Sequence, residues 1–203
     1  MSKRYFLAVV ALLLIALTPQ VEAGFTSPPT FDLTATSNVA GSATALYTIH
    51  LQNSDPSEDV VSISITIPAG YSIGSGYMTS TSGIQVGSVS GSCQGLGTGV
   101  GSVLSTSTPG KLAISVLRVG TIGEIDVSEP TATTPGKMTV LFSGTIGFDN
   151  HGCQGSFTMV QGFLINPSTA GTYTWTATAT PTSGSPVTLA PRPGRSQTIT
   201  IVS

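Results

Sequence analysis

The chain has 203 residues, room for a single β domain, and only 8% of them are Asp, Glu, Lys or Arg, with a formal net charge of −2. So thin a basic complement argues against nucleic acid or anionic membrane as partner, because both are held by dense Lys/Arg patches that displace counterions. What remains is rich in Ser, Thr and Gly, a near-neutral exterior poorly defended against association.

Lys3 and Arg4 precede an apolar run over residues 5–17, and Val21-Glu22-Ala23 sets small side chains around a cleavage point. Positive start, short apolar core and small-x-small end predict a secretory signal peptide over residues 1–23, a signal helix removed after Ala23. The competing reading is a retained anchor, but the apolar run is short for a bilayer span and Pro19 follows it. No Cys follows the cut to carry a lipid, and the apolar run lies ahead of it, so it cannot serve as a pilin-type helical spine. Loss of Lys3, Arg4 and Glu22 leaves five basic and eight acidic residues, a net of about −3. The expected location is outside the cell, secreted or on the surface.

From Gly24 the chain opens with an extended arm ending in Pro28-Pro29, residues that fix φ and offer no ladder donors. Phe31, Leu33 and Ala35 then alternate with Asp32, Thr34 and Thr36, so residues 24–36 comprise an arm and a first strand. The clearest signal covers residues 45–73. Tyr47, Ile49 and Leu51 alternate with polar residues, the run Asn53-Ser54-Asp55-Pro56-Ser57 turns the chain, and Val61, Ile63, Ile65 and Ile67 alternate again. Such period-two patterns mean strands with one dry face and one wet face, which need another layer to cover the dry side.

Residues 72–108 are poor in apolar side chains, and only Ile84/Val86 and Val100/Val103 seat weak strands. Pro109-Gly110-Lys111 and Pro135-Gly136-Lys137 read as recurring tight turns that open strands carrying Leu112/Ile114/Val116 and Met138/Val140/Phe142/Ile146/Phe148. A shorter strand runs between them through Ile122, Ile125 or Val127. One strand is expected over Phe157, Met159, Phe163 and Ile165. Another follows with Tyr173, Trp175, Ala177 and Ala179 facing one way against Thr172, Thr174, Thr176 and Thr178. A basic, Pro-rich corner holds Arg192 and Arg195, and Ile199 and Ile201 mark a last strand. No helical period occurs beyond residue 23. Nine to eleven strands with short turns predict an all-β, two-sheet antiparallel β-sandwich, immunoglobulin-like or jelly-roll, as one domain over residues 37–203 completed by the first strand.

Chemistry is sparse. Cys93 and Cys153, each in a Cys-Gln-Gly triplet read as a Gly-rich turn, predict one disulfide in an exported chain, and closing that loop would stabilise the fold by roughly 4 kcal/mol. The alternative, Cys93 as a nucleophile on a tight elbow, lacks the helix that should follow. His50 on a polar strand face and His151 in a turn are the only histidines. A triad with Ser92 or Ser143 has no Gly-x-Ser-x-Gly elbow, so no enzyme is expected. Two acidic turns, Asp55/Glu58/Asp59 and Glu124/Asp126/Glu129, raise calcium as a question without matching an EF-hand spacing, and no cofactor is assigned. Tyr71, Tyr77, Tyr173 and Trp175 suggest sugar stacking, although aromatic residues at alternating positions usually fill a core. There is no N-glycosylation sequon, since Pro167 follows Asn166.

The detachable arm, the strand Phe31-Asp-Leu-Thr-Ala35, the signal peptide and the size together resemble secreted immunoglobulin-like β-sandwich subunits of extracellular filaments, including archaeal thread-like and pilus-like fibres. The stretch Ile-Thr-Ile-Pro-Ala-Gly-Tyr71 also resembles strands of immunoglobulin-like surface domains. That resemblance implies a structural subunit of a filament or envelope layer polymerising with copies of itself. Phe31, Leu33 and Ala35 would then form a donor strand that completes a neighbour's sheet. The alternative is a secreted carbohydrate-binding or adhesive module whose partner is a surface glycan.

Overall fold

The computed structural model describes residues 24–74, 84–86, 99–100, 102–105, 111–115, 122–142, 153–159 and 161–203. The signal segment, Tyr77, Ser92, Cys93, Ser143 and His151 lie outside the described residues. Every regular element described is a strand, and no described helix is long and apolar enough to cross a membrane. In chain order the first eight strands are β1 (Thr30–Ala35), β2 (Tyr47–Asn53), β3 (Val60–Ile67), β4 (Ser72–Ile73), β5 (Ile84–Val86), β6 (Gly99–Val100), β7 (Ser102–Ser105) and β8 (Lys111–Ser115). The next four are β9 (Ile122–Ser128), β10 (Gly136–Phe142), β11 (Cys153–Met159) and β12 (Leu164–Ile165). The last four are β13 (Gly171–Thr174), β14 (Thr176–Pro181), β15 (Val187–Thr188) and β16 (Thr198–Ile201).

These strands form a five-stranded sheet in the order β1-β2-β11-β5-β6 and a seven-stranded sheet in the order β15-β14-β3-β10-β9-β8-β7. Two small pairs, β12-β4 and β13-β16, complete the set, and every ladder between named strands is antiparallel. Alternation explains why the rows are dry. In the larger sheet Ala177, Ile65, Met138 and Val127 lie in one cross-strand row, and all four are buried. In the smaller sheet Phe31 opposes Leu51 and Leu33 opposes Ile49, again buried. Side chains from both sheets enter one apolar cluster.

An aromatic group plugs that cluster. Tyr47 stacks on Trp175 with ring centroids 5.8 Å apart, and Tyr71 meets both edge-on at 5.7 and 5.4 Å. Offset and edge-on pairs of this kind each add about 0.5–1.5 kcal/mol beyond the area they bury. Burial and the neighbouring Tyr71 hydroxyl push the Tyr47 phenol far above its ordinary range. It therefore keeps its proton, which it donates to Asn166 Oδ1.

Several expectations are corrected. The described residues hold sixteen strands rather than nine to eleven, because long alternating runs break where the chain changes partner. The run expected as one strand through residues 157–165 ends at Met159, where a turn with Gly162 at φ +84° intervenes before β12 pairs with β4. The run through residues 172–179 is split at Trp175: β13 pairs with β16, whereas β14 joins β3 in the larger sheet. The Cys153-Gln154-Gly155 triplet opens β11 rather than occupying a turn. The expected tight turn at Pro135-Gly136 sits a few residues earlier, closed by Thr131 N–H donating to Thr134 O.

Gly136 already belongs to β10, opposite Ile67. Its need for glycine is steric, since a Cβ there would lie 2.5 Å from Pro130 N and 2.6 Å from Ser128 O. Backbone on that side cannot yield cheaply. Gly136→Ala should therefore lower stability by about 2 kcal/mol in urea unfolding, the usual scale of overpacking. Gly24→Ala, with nothing within 4 Å of the added methyl, should leave the midpoint unchanged.

Candidate functional site: the first strand and its two edges

The residues singled out as a donor strand form β1, an outer strand of the five-stranded sheet. Phe31 and Leu33 are buried in the core, and Ala35 packs against it. On one edge β1 pairs with β2 in unbroken register, from Thr30 opposite Gln52 to Ala35 opposite Tyr47.

The other edge runs parallel to the stretch that leads into β16. Phe31 N–H donates to Ala190 O at 3.0 Å and Leu33 N–H to Ser196 O at 3.2 Å. Gln197 Nε2 bridges Phe31 O and Leu189 O. Beyond β1 the contact resumes, with Val202 N–H donating to Asn38 O and Ala40 N–H to Val202 O, both at 2.8 Å. Among the described residues no backbone bond crosses the seam between Leu33–Ser196 and Asn38–Val202. A groove of about 410 Å³ opens there, lined by Ala35, Thr36, Asn38, Thr198, Ile199 and Thr200.

Three polar devices hold β1 and its flanks. Asp32, on the strand's outward side, is nonetheless only 1% exposed, because Arg192 from the Pro-rich corner lies over it. Arg192 Nε and Nη2 donate to the two carboxylate oxygens at 2.5 and 3.3 Å, a fork that suits a carboxylate well. His50 stands opposite Asp32 in the register. Its burial lowers the imidazole pKa; Asp32 opposes that shift, and Arg192 and Arg195 reinforce it.

Asp55 anchors the arm. Burial works against its charge, but Ser27, Ser57 and Glu58 N–H groups and the Thr26 hydroxyl donate to it at 2.8–2.9 Å, holding its carboxyl far below the usual carboxylate range. Ser57 Oγ adds a fifth bond at 3.0 Å. Glu58 accepts from Ser183 N–H at 3.2 Å and from its hydroxyl at 2.5 Å. The acidic turn raised as a calcium candidate thus spends the lone pairs of Asp55 and Glu58 on internal donors, and no metal-holding group of His, Cys, Asp or Glu occurs among the described residues.

Asn166 fixes the turn after β1. Its side chain accepts from Tyr47 and donates to Val39 O at 2.8 Å and Ser37 O at 3.3 Å, while its N–H donates to Ser42 O. Of the aromatic residues considered for sugar stacking, Tyr71 and Trp175 are buried, and Tyr173 sits edge-on against Tyr71. Glu129 is exposed on the second acidic stretch. Cys153 begins β11, and its expected partner Cys93 lies outside the described residues. Asp32, Asn166 and Arg192 escaped the sequence reading, and the basic corner was the only hint of them.

Comparisons with family models, curated proteins and solved structures found no match for this chain.

Two outcomes follow from this geometry. Arg192→Met strands a buried carboxylate and should cost about 2–3 kcal/mol in urea unfolding, while the double variant Asp32→Asn/Arg192→Met should recover part of that loss. Asp55 binds protons less readily folded than unfolded, so its contribution is complete above the unfolded pKa of about 4 and is lost as pH falls below it. Asp55→Asn should therefore lower stability at pH 7 and flatten its decline between about pH 4 and pH 2, measured by thermal unfolding across pH.

Proposed function

We propose that the protein is a secreted structural subunit of an extracellular assembly, a β-sandwich that joins copies of itself by exchanging β1. In this reading residues 1–23 are the signal peptide, and a Cys93–Cys153 disulfide staples the sandwich. The observation that carries it is the position of β1. The strand buries Phe31 and Leu33, yet it lies at a sheet edge with one side only partly zipped. Another copy's β1 can make the same ladder, fill the same apolar sites and offer the same Asp32 to Arg192. Exchange of an identical element is a low-cost route to assembly.

The hinge falls at residues 35–37, where the seam is already open and downstream of which Asn166 and Val202 hold the chain fast. Of the rings that would stack on a sugar in a carbohydrate-binding module, Tyr71 and Trp175 are committed to the core.

Thr34 and Thr48 are direct partners in the β1–β2 register. Thr34→Cys/Thr48→Cys, oxidised after assembly and run on a non-reducing gel, should give a ladder of covalent multimers, with regular fibres in electron microscopy. A single band of internally cross-linked monomer at every protein concentration would sink the exchange.

A further inference from the structure

We propose that the Pro-rich corner over β1 is a latch that a proton on His50 releases. The latch acts within one chain and does not depend on exchange of β1 between copies.

Residues 191–195 leave the outer edge of β1 between two of its bonds, Phe31 N–H to Ala190 O and Leu33 N–H to Ser196 O. Between those points the chain arches over the outward face of the sheet. Gly194 turns it at φ +73°, and Arg195 N–H closes the turn by donating to Arg192 O at 2.9 Å. The corner is held to that face by the Arg192 fork on Asp32, at 2.5 and 3.3 Å.

His50 stands directly opposite Asp32 in the β1–β2 register, so the two side chains leave the same face with Cβ atoms about 5 Å apart. From the corner, Arg192 and Arg195 both act on the imidazole. From β11 the facing side chains are Ser156, opposite His50, with Gln154 and Thr158 to either side. On β2 itself they are Thr48 and Gln52. Among the described residues one carboxylate therefore faces the ring, against two guanidiniums.

That arrangement has no room for a third cation. Each oxygen of Asp32 already accepts from Arg192. An imidazolium would be half-buried, short of water, and in competition with Arg192 for the same carboxylate. It gains water or Asp32 only where Arg192 gives way. The ring's proton affinity carries the same conflict: burial lowers the pKa, Asp32 opposes, and the two arginines add to the lowering. A proton binds more readily once the corner has lifted, so by linkage acid favours the lifted state. The latch is complete above the ordinary imidazole value of about 6.5 and is lost as pH falls through the lower value of the closed state. Its release uncovers the second edge of β1 while the ladder to β2 stays closed.

Amide hydrogen exchange read by NMR, with protection corrected for intrinsic rates, tests this. By alternation the N–H groups of Phe31 and Leu33 face the two ends of the corner, and those of Asp32 and Thr34 face β2. From about pH 7.5 to about pH 5, protection at Phe31 and Leu33 should fall about tenfold while that at Asp32 and Thr34 holds. His50→Gln should abolish that difference. The His50 ring should titrate below its ordinary value, and Arg195→Gln should raise the midpoint. Equal change at all four amides, or none, overturns the latch, as does the same selective fall in His50→Gln. So does a ring that titrates at or above the ordinary value. Should His50→Gln not fold, the parent decides: the Arg192 Hε resonance should follow the ring's titration, and one that ignores it overturns the latch.

Discussion

One carboxamide ties down the part of the molecule on which everything else depends. Asn166 is 2% exposed, and its side chain satisfies the Tyr47 hydroxyl and two carbonyls of the turn that follows β1. A buried polar group left without a partner costs about 1–3 kcal/mol, and here one side chain prevents three such losses at once. Pro167 O then accepts from Gly41 N–H, and Val202 grips Asn38 and Ala40 from the other side. The path of the chain from β1 to β2 is therefore fixed by contacts from residues well over a hundred positions away. That is why the seam beside β1 can stand open without the strand losing its register.

Trp175 does the corresponding work for the sheets. The chain on its N-terminal side pairs with β16 and on its C-terminal side with β3, so one continuous extended run serves two sheets. The indole sits where the run changes allegiance, fully buried among Tyr47 and Tyr71, and its backbone N–H donates to Gln197 O. A large ring at that point fills the space that the parting of two ladders would otherwise leave empty.

The strands were legible wherever one face is dry. Alternation located β1, β2, β3 and β16 to within a residue or two, because Ile63, Ile65, Ile67 and their counterparts have only one way to reach the core; of the run expected from Met138, β10 holds the part to Phe142, and Ile146 and Phe148 lie outside the described residues. Alternation reports which way a side chain faces, and it is silent about which strand lies alongside. The break at Trp175 was invisible for that reason: the facing pattern continues straight through it. The burial of Asp32 and Asp55 was hidden for a different reason. A carboxylate in a strand or turn looks solvated from its neighbours, and the groups that bury these two arrive from far along the chain, Arg192 onto Asp32 and Thr26 and Ser27 onto Asp55. Gly136 was marked correctly as special, but for turn conformation, whereas the constraint is the backbone of residues 128–130 passing beside it.

The ladder between β1 and β2 also has a mechanical side. A pull along the axis of β1 loads its six registered pairs in parallel, together with the Arg192 fork on Asp32 and the knot at Asp55. Bonds sheared together resist far better than bonds peeled in turn from one end. Tension transmitted lengthwise through this strand therefore meets all of these contacts at once, while a sideways tug finds the open stretch beside Ala35 and starts to unzip there.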